Sequence, residues 1–285
     1  MNTNHSKTLF AGPWVGEFGW ELFAWHGFLR KLSKKYDHTV MACRTGHNLL
    51  YEDFADDIIN YDPEFEDTNM WINYGETGFH RNFHKYYTAH VPESKLTIVQ
   101  FDSYKSRWWI DEKWNNRQDF MSFGTINETK KKFDILMIVR DTDKCFTWFR
   151  NWPESHATQF ASLMLSRGFT IACVGKSDSA KWIPGTWDAR DLPLDRLANL
   201  MADARVIVGP QCGPTHFASL CLLPQVCWQT KSEHATRVET KWNPFHTPTI
   251  TLPSDDSYWK YHKMWTPPME DIISSVNTFL TRRIL

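Results

Sequence analysis

Residues 204–230, ARVIVGPQCGPTHFASLCLLPQVCWQT, have an order of residue types that is typical of an anion-binding turn. Apolar and small residues lead into Gly209, glycines and prolines follow, and apolar residues then recur at helical intervals. We expect a helix to begin near Thr215. Its unpaired N–H groups and positive dipole end favour a phosphate, and His216 can add a donor or a cation. A glycine turn with a purely structural role accounts for these residues equally well.

Positive side chains follow the strand that we predict at the start of the second half of the chain. Arg140, Lys144 and Arg150 lie close to its end, where cations could clamp a diphosphate. Gly175 and Lys176 follow a later strand and could contact a nucleotide base or ribose, although a solvated turn explains them nearly as well. The residues that we predict to bind a nucleotide donor are Arg140, Lys144, Gly175, Lys176, Gln211, Cys212, Gly213, Pro214, Thr215 and His216.

Two acidic residues follow the first predicted strand of the chain. Glu17 and Glu21 stand at, or just beyond, a glycine-rich turn. At the carboxyl end of a strand, a carboxylate can point into a cleft and take a proton from an attacking hydroxyl. A solvated acid, or an acid that complements the helix dipole, is an equally good interpretation. We predict Glu17 and Glu21 as the catalytic candidates.

Cations and aromatic residues are interleaved between residues 81 and 117. This pattern suits a saccharide acceptor or a splayed nucleic-acid strand. Acidic residues are interspersed, so an ordinary charged surface is the favoured alternative. The residues that we predict on the acceptor side are Arg107, Trp108 and Trp109.

Short apolar segments alternate with amphipathic ones in both halves of the chain, which predicts parallel sheets covered by helices. The strands are predicted at residues 8–13, 39–43, 58–61, 96–101, 133–140, 169–175, 206–209 and 225–228. The helices are predicted at residues 20–35, 154–166 and 194–203. Trp152 and Pro153 precede the second of these helices, where Trp152 is expected to pack as a staple.

A polar stretch at residues 115–132 separates the two sets of elements and is predicted to be a linker. The fold class that we predict is α/β, with two Rossmann-like domains whose parallel sheets face a cleft. The predicted domains are an acceptor-side domain at residues 1–125, a nucleotide-sugar-binding domain at residues 126–266 and a terminal helix at residues 267–285.

The composition is that of a globular protein. The chain has 285 residues, of which 42% are hydrophobic, and its net charge of −1 argues against general attraction to nucleic acid or acidic membranes. No apolar segment approaches the roughly 20 residues of a membrane span, and the N-terminus lacks the order of a signal peptide. We therefore expect a cytoplasmic protein with no integral membrane contact. Scattered cysteines without a CxxC pair predict reduced thiols.

Residues 140–230 resemble the ADP-heptose:lipopolysaccharide heptosyltransferase family. The hallmark of that family is a D-S-G-P-x-H turn between a strand and a helix, and the turn here is QCGPTH. Gly213, Pro214 and His216 match, while Gln211 and Cys212 replace Asp and Ser. RNWP at residues 150–153 is similar to the K-x-W-P element of the family, and the N-terminal GEFGWEL departs from its G-D-x-L pattern.

This resemblance implies a GT-B glycosyltransferase that uses a nucleotide-diphosphate sugar. It implies donor binding by the C-terminal domain through Gly213, Thr215 and His216, with Glu17 or Glu21 in place of the catalytic acid of the family. The acceptor would be a saccharide, and no metal would be obligatory. Asp141 and Asp143 do form a DxD sequence, but two acids one residue apart arise often by chance, so we predict no metal site.

Three alternatives stay open at this point. Compact, tryptophan-rich glycosyltransferases that modify hydroxymethylated bases of phage DNA are also similar, and 15 tryptophans fit that interpretation. A cysteine hydrolase would use Cys212 with His216 or His234, but the G-x-S/C-x-G spacing is absent. A non-catalytic nucleotide-binding module is the third.

Overall fold

A computed structural model describes residues 7–12, 14, 17–61, 96–99, 117–124, 131–143, 148–229, 231–254, 256–261 and 263–281. The chain divides into two compact units, Met1–Met121 and Ser122–Leu285. None of the helices in these described ranges is long and apolar enough to cross a membrane.

The N-terminal unit is built on a parallel sheet, which in the described residues has four strands in the order β3-β2-β1-β4. The strands are β1 (Thr8–Ala11), β2 (His38–Arg44), β3 (Asp57–Tyr61) and β4 (Leu96–Val99). The apolar residues of β1 are fully buried, as expected of a central parallel strand. The strand order reverses direction beside β1, which is the arrangement that creates a ligand site at the carboxyl edge of a Rossmann sheet.

A continuous helical segment connects β1 to β2. It consists of α1 (Phe18–Trp20), the π-helical turn π1 (Glu21–Trp25) and α2 (His26–Ser33). Gly12 follows β1 with φ of +105°, and a Cβ there would lie 2.2 Å from the carbonyl oxygen of Ala42, so this position requires glycine. The helix begins before the predicted residue 20. Its π turn places Glu21 on the buried face, which a regular helical period does not predict.

The C-terminal unit contains a six-stranded parallel sheet among its described residues, in the order β12-β11-β10-β5-β7-β9. When these strands are counted along the chain, their order in the sheet is that of a Rossmann fold, and the strand order reverses between β5 and β10. The strands are β5 (Phe133–Met137), β7 (Ile171–Gly175), β9 (Trp187–Arg190), β10 (Ala204–Pro210), β11 (Gln225–Gln229) and β12 (Thr249–Pro253). A small antiparallel pair adds β6 (Val139–Arg140) and β8 (Ala180–Lys181).

Helices cover this second sheet and complete its core. They are α3 (Glu154–Ser166), α4 (Leu194–Ala202), α5 (Gly213–Leu220), α6 (Ser232–Thr236), the π-helical turn π2 (Arg237–Lys241), α7 (Ser257–Lys260) and α8 (Met269–Thr281). The expected terminal helix is α8, and it buries Ile272, Val276 and Leu280 in the core of the C-terminal unit.

Two features of the second sheet differ from the sequence prediction. Residues 133–140 form two strands instead of one. Ile138 still donates to the Val208 carbonyl of β10 at 3.0 Å, but beyond it β6 pairs with β8. The strands β9 and β12 were not predicted. They form the two edges of the sheet, where a strand needs only one partner and one buried face and therefore carries a weak apolar pattern.

Candidate functional site

The predicted anion-binding turn lies at the carboxyl end of β10, where α5 begins. Cys212 caps the helix, and its N–H donates to Thr215 Oγ1 at 2.9 Å while the Thr215 hydroxyl donates to the Cys212 carbonyl at 2.8 Å. Pro214 lies in the first turn, where its missing N–H costs nothing. The helix begins at Gly213, two residues before the predicted start. The first N–H groups of a helix have no partner within it and are suited to an anion.

Gln211, between β10 and α5, is a fully buried amide side chain. Among the described residues, neither its side-chain oxygen nor its nitrogen has a hydrogen-bond partner. Its backbone N–H donates to the Trp228 carbonyl, and its carbonyl accepts from Arg150. Leaving buried polar atoms unpaired costs about 1–3 kcal/mol each, so such groups in a native fold call for an explanation. A ligand at the start of α5 would supply the missing partners.

Two arginines bring positive charge to the same turn. Arg150 Nη1 donates to the Gln211 carbonyl at 3.3 Å. Arg140, at the end of β6, donates to Asn151 Oδ1 at 2.7 Å and is held in place by it. Both charges act on Cys212: burial raises the pKa of its thiol, the two arginines lower it, and the net pKa lies above the usual value. Arg140, Arg150 and the N-terminus of α5 therefore lie together where the strand order reverses, between β5 and β10. Lys144 lies outside the described residues.

His216 is buried at this turn and is neutral. Its pKa lies well below the usual 6.5, mainly because the ring is buried. The positive charges of Arg237 and Arg150 and the neighbouring His234 lower it further. A neutral His216 can donate a hydrogen bond to an anion but brings no positive charge to it, because a buried imidazolium beside arginines is unfavourable.

Sequence reasoning missed Arg237 and Trp242. The His216 ring meets the Trp242 ring edge to face, with centroids 4.7 Å apart, and the Arg237 guanidinium lies 4.2 Å from the centroid of the same indole. Arg237 begins π2 and is distant in sequence from the glycine turn. In the sequence, Arg237 is marked only as a cation close to a tryptophan, a combination that is too common to predict a functional residue.

Gly175 and Lys176 are placed at the end of β7, two strands away from β10 in the sheet. They form a turn that is closed locally, because Asp191 N–H donates to the Gly175 carbonyl at 2.8 Å and Ser177 N–H donates to Asp191 Oδ1 at 3.0 Å. Lys176 is exposed. A role for this turn in binding a base or ribose stays a prediction.

Because His26 and His216 are buried, the stability of both units depends on pH. Burial first and the charge of Arg30 next lower the pKa of His26 to about 3, against a hydrogen bond to Glu21. The pKa of His216 is lowered as well. Because both folded pKa values lie below the usual 6.5, the unfolded chain takes up protons first as the pH falls. Stability that is fully present above pH 6.5 is therefore lost below it.

We expect the free energy of unfolding to fall between pH 6.5 and 5 by up to about 1.4 kcal/mol per pH unit for each histidine. Urea unfolding at several pH values measures it. The slope for the N-terminal unit should flatten in His26→Phe, and an unchanged slope in that variant would contradict the assignment.

The N-terminal candidates occupy two different environments. Glu17 caps α1 and is half-buried, and its carbonyl accepts a hydrogen bond from Trp14 Nε1 at 3.2 Å. Glu21 is fully buried in π1. Its carboxylate accepts from the Tyr51 hydroxyl at 2.7 Å and contacts His47 Nδ1 at 2.8 Å. Sequence reasoning missed His47 and Tyr51, which lie in the segment after β2.

Arg107, Trp108 and Trp109 lie outside the described residues. Asp141 is exposed and pairs with Lys181 at 3.3 Å, and in the described ranges no group of three histidine, cysteine or acidic residues could hold a metal ion.

No protein-family model matches the sequence, and no curated protein is similar to it in sequence. Solved structures of glycosyltransferases resemble the chain over most of its length. The glycosyltransferase family 9 protein of Veillonella parvula is 13% identical, with a TM-score of 0.56 over 98% of each chain. The ADP-heptose LPS heptosyltransferase II of Escherichia coli is 12% identical, with a TM-score of 0.52 over 96% of this chain and 98% of that one. The dodecameric iron-containing glycosyltransferase TibC of enterotoxigenic E. coli is 12% identical, with a TM-score of 0.54 over 99% of this chain and 79% of that one.

Two Rossmann-like parallel sheets and these likenesses define the class of the fold, which is GT-B, as predicted. Within that class the chain resembles heptosyltransferases in structure at low sequence identity, which confirms the resemblance found in residues 140–230.

Proposed function

We propose that the protein is a glycosyltransferase that moves a sugar from a nucleotide-diphosphate sugar to an acceptor hydroxyl. The observation that carries the proposal is the turn before α5. The N-terminus of α5 and the charges of Arg140 and Arg150 lie there, at the reversal point of the second sheet. The buried amide of Gln211, which has no partner among the described residues, lies there too. These groups are suited to a diphosphate.

In the transfer, the acceptor oxygen forms a bond to the anomeric carbon of the sugar. The bond from that carbon to the diphosphate oxygen breaks, and its electron pair leaves with the diphosphate. The negative charge that develops there is stabilised by the first N–H groups of α5 and by the arginines. We propose on this ground that the reaction needs no metal. The acceptor proton passes to a base, for which Glu17 and Glu21 are the sequence candidates.

The donor that we propose to test first is an ADP-linked sugar, because a structural neighbour is named for ADP-heptose. The proposed acceptor is a saccharide. Modified DNA remains the alternative named from the sequence, and no described residue favours it. For a cysteine hydrolase, the raised pKa of the Cys212 thiol is the opposite of what an activated nucleophile requires.

The proposal is tested by thermal unfolding with nucleotide-diphosphate sugars and free diphosphates, in EDTA and in Mg²⁺. A ligand that binds the folded state alone raises Tm, by an amount set by its concentration relative to Kd. We expect a shift with ADP and ADP-sugars that persists in EDTA, followed by ADP release during turnover. Binding without turnover would identify a non-catalytic module. No shift with any nucleotide at millimolar concentration would contradict the proposal.

A further inference from the structure

The buried carboxylate of Glu21 is positioned to control a histidine. The described contacts of this carboxylate are Tyr51, whose hydroxyl donates to Oε1 at 2.7 Å, and His47, whose Nδ1 lies 2.8 Å from Oε2. Burial raises the pKa of Glu21, but four effects outweigh it and lower the net pKa: the charge of His47 when that ring is protonated, the His47 hydrogen bond, the charge of Arg44 and the Tyr51 hydrogen bond. Glu21 is therefore a carboxylate at neutral pH.

This contact determines which nitrogen of His47 carries the proton when the ring is neutral. An ionised carboxylate only accepts hydrogen bonds, so Nδ1 must be the donor and Nε2 must carry the lone pair. Nε2 makes no hydrogen bond to any described residue, and 14% of the side chain is exposed. The lone pair of Nε2, on the side of the ring away from Glu21, is thus available to accept a proton.

The ring is also held in orientation by its surroundings. His47 packs edge-on against Phe18, with ring centroids 5.2 Å apart, and its backbone N–H donates to the Arg44 carbonyl at 3.0 Å. His47 follows the carboxyl end of β2, and α1 follows the carboxyl end of β1, so both lie at the edge where Rossmann sheets bind ligands.

We propose that His47 is the general base of the transfer reaction and that Glu21 is the residue that positions it. This inference rests on the proposed function. As the acceptor oxygen attacks the anomeric carbon, its proton moves to Nε2 of His47, and the imidazolium that forms is stabilised by the Glu21 carboxylate. The ring later returns the proton to solvent. Both Glu21 oxygens are already engaged, so Glu21 acts through His47 and not on the substrate.

Variants of the N-terminal unit separate His47 from the other candidates. In His47→Asn the amide can still donate to Glu21, but the lone pair of Nε2 is lost. We expect kcat for ADP release from ADP-heptose to fall about 10²- to 10⁴-fold, with KM and the thermal shift by ADP unchanged. His38→Asn is the matched control, because His38 is an exposed histidine of the same unit that pairs with Asp57, and it should retain full activity.

The positioning role of Glu21 is tested separately, by the tautomer of His47. In ¹⁵N NMR spectra, His47 of the unsubstituted protein should show a protonated Nδ1 and a bare Nε2, and Glu21→Gln should lose that preference and lower kcat without changing KM. An unchanged kcat in His47→Asn overturns the proposal, and a loss confined to Glu17→Gln assigns the base to Glu17 instead. No turnover by the unsubstituted protein with any nucleotide sugar overturns the transfer reaction itself, a result that differs from the loss of His47 alone.

Discussion

Trp152→Ala is expected to lower the free energy of unfolding of the C-terminal unit by about 3–5 kcal/mol, the usual cost of removing a large buried aromatic side chain. Trp152 is 1% exposed. Its indole meets Trp228 edge to face at a centroid distance of 4.8 Å and Phe160 at 5.7 Å. Truncation therefore leaves a cavity beside Phe160 and Trp228.

The same substitution should disturb the proposed donor site. The backbone N–H of Trp152 donates to the Arg140 carbonyl at 3.0 Å, and Arg150 lies two residues earlier in the chain. The staple that the sequence predicted at Trp152 thus fixes the segment that carries both arginines, and nucleotide affinity should fall with stability.

Urea unfolding followed by tryptophan fluorescence and circular dichroism measures the loss. Trp187→Ala is the matched control, because Trp187 belongs to the same unit and is 62% exposed. It should cost less than about 1 kcal/mol, as most surface substitutions do. Equal losses in the two variants would show that the Trp152 cluster does not stabilise this unit as its packing indicates.

Arg150→Met should weaken the binding of ADP about 10- to 100-fold, since charge-assisted hydrogen bonds contribute about 1.5–3 kcal/mol. Methionine keeps the aliphatic packing and removes the charge. Arg150 Nη1 donates to the Gln211 carbonyl, and its charge acts on both Cys212 and His216. Its Nε is buried and has no hydrogen-bond partner in the part of the chain that the structure describes. A diphosphate at the start of α5 would provide the partner that Nε lacks.

Isothermal titration with ADP at several salt concentrations measures this effect. Arg196→Met is the control, because the Arg196 side chain is 73% exposed and pairs with Asp195 at 3.8 Å on the surface of the same unit. Its affinity for ADP should be unchanged. If Arg150→Met and Arg196→Met bind ADP equally well, the cluster at the turn is not the diphosphate site.

The sequence by itself determined the elements whose residue patterns are local. Buried parallel strands have continuous apolar segments, and the glycine turn at residues 209–216 is followed by helical periodicity, so β10, the turn and α5 could be predicted. The resemblance carried by Gly213, Pro214 and His216 added the GT-B class, which the structural likenesses bear out. The edge strands β9 and β12 were missed because an edge imposes a weak pattern.

Only the tertiary structure decided which side chains meet and in what charge state. Glu21 was chosen from the sequence as a carboxylate near a strand end, but its contacts with His47 and Tyr51 cross from one helical segment to the chain after another strand. The neutral His216 likewise depends on burial and on Arg237, which is remote in sequence. Hydrogen bonding, desolvation and charge act over a few ångströms in space, whereas sequence patterns record neighbours along the chain, and this is why the elements were predictable and the polar partners were not.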